Sequence, residues 1–257
     1  MDILRKELNR IYEAQNLEGQ LLEASQVAET GNVARILAQT SGGCTVVTDA
    51  SCDRCYIHAA GLGRLMDLTD GESLYREVDS SDEDEIYNRL HPEDLVEKRM
   101  LEYEFFKRVH TMAPEEKTLC KATCRIRMKD REGSYRMIDN STQVIHLSPA
   151  GTIWLILCCY NLAPDAARGE GIEPHIVNSL TGEITALSFQ ERRMHVLTER
   201  EKEILRLIQE GKASKQIADV LGISVHTVNR HRQNIISKLS VGNSIEAITA
   251  AQAMKLL

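Results

Sequence analysis

The sequence has no apolar run approaching the roughly 18 uninterrupted residues that read as a membrane span, and its opening, MDILRKELNR, has no apolar signal core. A cytoplasmic protein with no membrane partner is therefore expected. Aromatic residues are scarce, at 4% with Trp154 the single tryptophan, which leaves little material for an aromatic-lined pocket. A disulfide framework is also disfavoured, because the seven cysteines are an odd number in a chain without an export signal. Hydrophobic residues at 42% and charged residues at 27% match ordinary globular usage and argue against disorder. At 257 residues, two domains, each with its own core, are expected.

The net charge of −7 is unevenly placed. From His195 to Leu257 nine lysines and arginines face six acids, a balance of +3, whereas the preceding residues carry −10. The tail can approach phosphate while the front repels it.

Apolar positions at Leu4, Leu8, Ile11, Leu21, Leu22, Val33, Ile36 and Leu37 predict helices over residues 1–39, without sustained heptads. CTVVTD and YIHAA, separated by a turn at Ser51 to Arg54, predict a strand hairpin. Residues 64–111 read as helical, interrupted by EVDSSDEDE as a solvated loop, with His91-Pro92-Glu93-Asp94 opening a helix. Lys121 to Met128 alternates, with Ala122, Cys124, Ile126 and Met128 on one face, so it predicts a strand with one buried side. A turn at Asp130 to Gly133 leads to a second strand, Ser134 to about Leu147. IWLILCCY, apolar on both faces, predicts a central strand. Residues 164–195 read as an interdomain linker in which Thr181-Gly182 turns a short hairpin.

Residues 40–163 resemble a PAS domain, through CTVVTDASCDRCYIHAA, HPEDL before a long helix, and the closing strands around KDREGSYRMI and GTIWLILCCYNL. The resemblance implies a five-stranded antiparallel sheet with helices on one face, in a domain that binds a small ligand or dimerises. The cofactor stays unknown.

The tail is more sharply written. Thr198 with Glu201 three residues later forms a capping box before EREKEILRLIQEG, which Gly211 ends. Ser214 is read as the cap of KQIADVLG, Gly222 as the tight turn, and Ser224 as the cap of VHTVNRHRQNIISKL. On that third helix Val225, Val228, Ile235, Ile236 and Leu239 share a core arc, while His226, Arg230, Gln233 and Ser237, flanked by Asn229, face away. Those are donors suited to base edges and phosphates in a major groove. Arg232 stands inside the apolar arc, and its guanidinium is expected to reach outward, towards a phosphate.

LTEREKEILRLIQEG, SKQIADVLGIS and TVNRHRQNIISKL closely resemble the C-terminal domain of LuxR/NarL-type regulators. The resemblance implies a four-helix domain whose last helix, SIEAITAAQAMKLL, commonly mediates dimerisation. It also implies base contacts from Asn229, Arg230 and Gln233, and backbone contacts or helix positioning from Lys215, Ser224, Thr227, His231 and Arg232. The family usually has a hydrophobic residue where Arg232 stands.

The front domain offers weaker signals. Cys52 and Cys55 form a CxxC followed by His58, but no second CxxC exists, so no metal set is assigned. No histidine stands out as a haem ligand, and the alternating strands and helices of a phosphorylated receiver are missing. Acyl-homoserine-lactone sensing, known among the relatives, would want more aromatic residues. No catalytic residue is assigned either: no nucleophile-base pair appears, and the GxG at Gly61 to Gly63 lacks the third glycine of a dinucleotide site.

The expected architecture is α+β and PAS-like in front, with an antiparallel sheet and helices, then an all-α four-helix helix-turn-helix domain. Its divisions are 1–39 (helical segment), 40–163 (PAS-like), 164–195 (linker) and 196–257 (DNA-binding). The expected function is a non-enzymatic bacterial transcription regulator, a homodimer on an inverted repeat of double-stranded DNA with RNA polymerase as a further partner. The alternative is a constitutive DNA binder whose front domain recruits a protein.

Overall fold

The alternation of Lys121 to Met128 becomes a strand whose Ala122, Cys124, Ile126 and Met128 are all buried, as one-sided burial requires. The structure, a computed structural model, describes residues 3–81, 83–164, 171–189, 197–239, 241–253 and 256–257. In chain order the front part consists of α1 (Ile3–Glu13), α2 (Ala24–Ser41), β1 (Cys44–Asp49), β2 (Arg54–Ala59), α3 (Gly61–Leu65), β3 (Leu74–Val78), α4 (Asp84–Tyr87), α5 (Pro92–Thr111), α6 (Pro114–Lys117), β4 (Cys120–Lys129), β5 (Tyr135–Leu147), β6 (Ile153–Leu162), β7 (His175–Asn178) and β8 (Ile184–Ala186). Four helices follow: α7 (Glu199–Gln209), α8 (Ser214–Leu221), α9 (Val225–Lys238) and α10 (Ser244–Ala253).

The strands form one antiparallel sheet in the order β3-β2-β1-β6-β5-β4-β7-β8. β6 lies centrally between β1 and β5, which explains its nearly continuous apolar run. One face carries Val46, Ile57, Ile126, Ile156 and Tyr160 into a core shared with Leu101, Phe105 and Phe106 of α5 and Leu8 of α1. His91 caps α5 and Pro92 opens it, as HPED suggests. The opposite face is covered by α2, whose Ala34 and Ala38 are buried and whose Ala34 carbonyl accepts from Thr45 Oγ1 at 2.9 Å. Small residues let this helix lie close to the strands. Helices therefore occupy both faces, not one.

Several expectations need correcting. Residues 64–111 are not continuously helical, because β3 pairs with β2 from Leu74↔Ala59 to Val78↔Cys55. Its middle residues Tyr75, Arg76 and Glu77 are exposed at the sheet edge, so it shows no buried alternation to read. EVDSSDEDE is not wholly solvated: Glu83 is buried and accepts from the Tyr160 hydroxyl. The segment read as a linker adds strands to the sheet, with β7 pairing β4 from Cys120↔Asn178 to Thr123↔His175. The hairpin expected at Thr181-Gly182 does form, with Gly182 at φ +73, but as a sheet extension. Among the described residues eight strands thus stand where five were implied, and the sheet runs past residue 163. Residues 165–170 and 190–196 of the expected linker lie outside the described residues.

The four C-terminal helices bury Leu197, Ile204, Leu205, Ile217, Val228, Ile235, Leu239, Ala247 and Ala250. α10 rests against α5, and α1 touches α9. A cleft of about 570 Å³ remains between Leu95 and Tyr135 on the front side and Val241 and Ile245 on the other. Among the described residues no helix is long and apolar enough to cross a membrane.

Candidate nucleic-acid interface

The interface begins with the caps that fix its helices. At the start of α7, Glu201 Oε2 accepts from the Thr198 backbone N–H at 2.8 Å, while the Thr198 hydroxyl receives the Glu201 N–H at 3.3 Å. This is the expected capping box. Glu201 has a further task that the sequence did not reveal: it accepts from Lys238 Nζ at 2.6 Å, tying the end of α9 to the start of α7. Burial alone would raise the Glu201 carboxyl, but the Lys238 and Thr198 hydrogen bonds outweigh it and hold its pKa below the ordinary value.

α8 starts one residue earlier than Ser214 as cap would have it. Ala213 is the N-cap, its N–H donating to Gln216 Oε1 at 2.8 Å, and Ser214 is the first helical residue. Freed from capping, Ser214 Oγ accepts from Arg232. Gly222 closes α8 at φ +62, a left-handed conformation that costs a side-chain-bearing residue energy and lets the chain turn sharply into α9. Ser224 caps α9 as expected, its Oγ accepting from the Thr227 N–H at 3.0 Å.

α9 is two-faced. Val228, Ile235 and Leu239 are buried, while His226, Asn229, Arg230 and Gln233 are exposed along the opposite side. The buried arc is narrower than the apolar spacing predicts: Val225 in the first turn is 41% exposed and Ile236 is half-buried. Lys215 is exposed at the start of α8. Thr227 is half-buried with its Oγ1 2.8 Å from Ser224 Oγ, and His231 is half-buried with Nδ1 enclosed.

Arg232 departs from expectation. Its guanidinium does not turn out towards solvent: Nη1 donates to Ser214 Oγ at 3.0 Å and Nη2 to Ser244 Oγ at 3.1 Å. One side chain thereby links α8, α9 and α10, where a hydrophobic residue would link them by packing alone. The Arg232 oddity was visible in the sequence, but its partners lie 18 and 12 positions away.

The chemistry weighed for the front domain does not assemble. Cys52 is exposed in a turn while Cys55 is buried under the sheet, so the CxxC does not converge. Among the described residues the one cluster with metal-ligand spacing is His91, Glu93 and Asp94. Arg127 already fills it, donating at 2.7 Å to both carboxylates. Gly61 to Gly63 lie in the short α3.

The comparisons with known proteins fall on the same helices. Residues 195–251 match the family model "Bacterial regulatory proteins, luxR family". The response regulatory protein YgeK of Escherichia coli is 52% identical over 58 residues, 23% of this chain and 40% of that protein. The transcriptional activator protein AnoR of Acinetobacter nosocomialis is 48% identical over 61 residues, 24% of this chain and 26% of that protein. The chain thus spans between a quarter and two fifths of these curated relatives' length. Among solved structures, the VqmA dimer of Vibrio cholerae aligns with 91% of this chain and 89% of its own at 17% identity, with a TM-score of 0.30. The residues that set the caps and the turn are the ones the family model spans, and the C-terminal part of this chain is a luxR-family helix-turn-helix domain.

Proposed function

We propose that the protein is a cytoplasmic, non-enzymatic regulator of transcription that binds a specific inverted repeat in double-stranded DNA as a homodimer, under control of a PAS-like front domain. The carrying observation is the exposed row Asn229, Arg230 and Gln233 on α9, set over a buried apolar face in a family-matched helix-turn-helix. In this reading those three side chains meet base edges, where a guanidinium pairs bidentately with guanine and amides with adenine. Lys215 and Thr227 take phosphates, and Ser224, His231 and Arg232 hold the helix in place. A basic tail behind an acidic front favours DNA approach from one side only. Two copies are supported by apolar side chains left exposed on helices: Val33 at 55% and Ile36 at 51% on α2, and Ile245 at 77% on α10. RNA polymerase is the further partner of such a regulator.

Selection of bound duplexes from a random pool, with the full chain and with Arg230→Ala, tests this. A two-fold symmetric consensus that loses a base preference in the variant is expected. An asymmetric consensus would remove the homodimer, and no enrichment at all would overturn sequence-specific binding.

A further inference from the structure

β2 and β3 present three rings to the face covered by α2. Tyr56 and His58 project to the same side of β2, and His58 lies directly opposite Tyr75 of β3, with ring centroids 5.0 Å apart. Beside them the near flank of α2 carries Val27, Ala28, Gly31, Asn32 and Arg35, spaced to line one strip of the helix. Between strip and rings runs an open groove of about 380 Å³. That is within the size range of small-molecule sites, roughly 300–1,000 Å³.

Three features of this groove are unexplained by folding. His58 is only 7% exposed, and its Nε2 is enclosed with no hydrogen-bond partner, a cost that a purely structural imidazole would avoid. Among the described residues Arg35 makes no ion pair; it donates to the neutral Gln39 at 3.0 Å. Gly31 stands in the interior of an 18-residue helix, where it costs about 1 kcal/mol relative to alanine. An added Cβ there would meet nothing closer than His58 Nε2 at 3.9 Å, so packing does not demand glycine. Its lack of a side chain leaves the groove wall unfilled where α2 passes over the imidazole.

From these residues we propose that the groove between α2 and the β2–β3 edge binds a small planar aromatic carboxylate, its anionic group held by Arg35 and His58 and its ring against Tyr56 and Tyr75. A guanidinium offers a carboxylate two parallel N–H donors. Burial, with Arg35 nearby, lowers the His58 pKa and so favours the neutral imidazole, which carries one N–H donor. The tyrosine rings supply flat apolar walls, with Tyr75 anchored by its hydroxyl donating to Glu77 Oε1 at 2.6 Å. The exposed apolar side chains Val33, Ile36 and Leu37 lie on the opposite flank of α2, at about 100° of rotation per residue. A second copy seated on that stripe would leave the groove accessible. This site goes beyond the regulator reading, because its occupancy is measured without DNA and stands or falls separately.

The test is calorimetric titration of the full-length protein with benzoate, beside benzamide as an uncharged ring and cyclohexanecarboxylate as a non-aromatic anion. Benzoate should bind in the millimolar range or tighter, at least tenfold better than either control. Arg35→Gln should weaken it tenfold or more. Gly31→Leu, which fills the groove while improving helix propensity, should abolish binding with thermal unfolding unchanged or raised. No benzoate binding, equal binding of either control, or binding indifferent to both substitutions would overturn the proposal.

Discussion

Arg230 and Arg232 sit two residues apart on α9 and have opposite surroundings, one exposed and one held by two serine hydroxyls. Arg230→Ala should therefore leave thermal stability unchanged and cost about 1–3 kcal/mol at the preferred DNA site only. Titrating one cognate and one scrambled duplex checks this, and an equal loss on both would make Arg230 a phosphate contact. Arg232→Ala should lower the unfolding temperature and weaken every duplex alike, since charged hydrogen bonds contribute about 1.5–3 kcal/mol. Glu201 adds a pH dependence. Its folded pKa lies below its unfolded value near 4.3, so its stabilisation is complete above that value and fades as pH falls through the folded pKa. Glu201→Gln should flatten the acid limb of a melting-temperature profile, and an unaltered limb would refute the Lys238 coupling. The sequence showed Glu201 as a cap because cap partners are three residues apart. It could not show Lys238, 37 residues on.

At the scale of elements, what could be read was whatever a period or a cap announces. The buried alternation of β4, the two-sided run of β6 and the capped α7 and α9 all stand where periodicity put them. β3 is not legible in the sequence because an exposed edge strand is held by backbone bonds and leaves no hydrophobic alternation. β7 and β8 read as linker because strands of four and three residues are too short to show a period. Val225 keeps the apolar spacing yet stands 41% exposed in the first turn of α9. Cap chemistry gives the element-scale prediction: Ser224→Ala removes the acceptor for the Thr227 N–H and should cost about 1 kcal/mol. Chemical denaturation of the full chain should show it, with DNA affinity falling only through loss of folded protein.

Across the whole molecule the separation of charge should govern how DNA is approached. Affinity should fall steeply with salt, and Lys215→Ala should reduce the log–log salt slope by about 1 if that lysine neutralises one phosphate. An unchanged slope would remove Lys215 from the interface. The hairpin β7–β8 sets a limit of another kind. Because it fastens the chain to β4, the last sheet residue is Ala186, and α7 is already capped at Thr198. Past the last strand the Leu187 N–H still donates to the Pro174 carbonyl at 2.8 Å and Phe189 is buried, so the mooring of the front domain reaches to nine residues before the α7 cap. Loosening that short edge would lengthen the free chain ahead of α7.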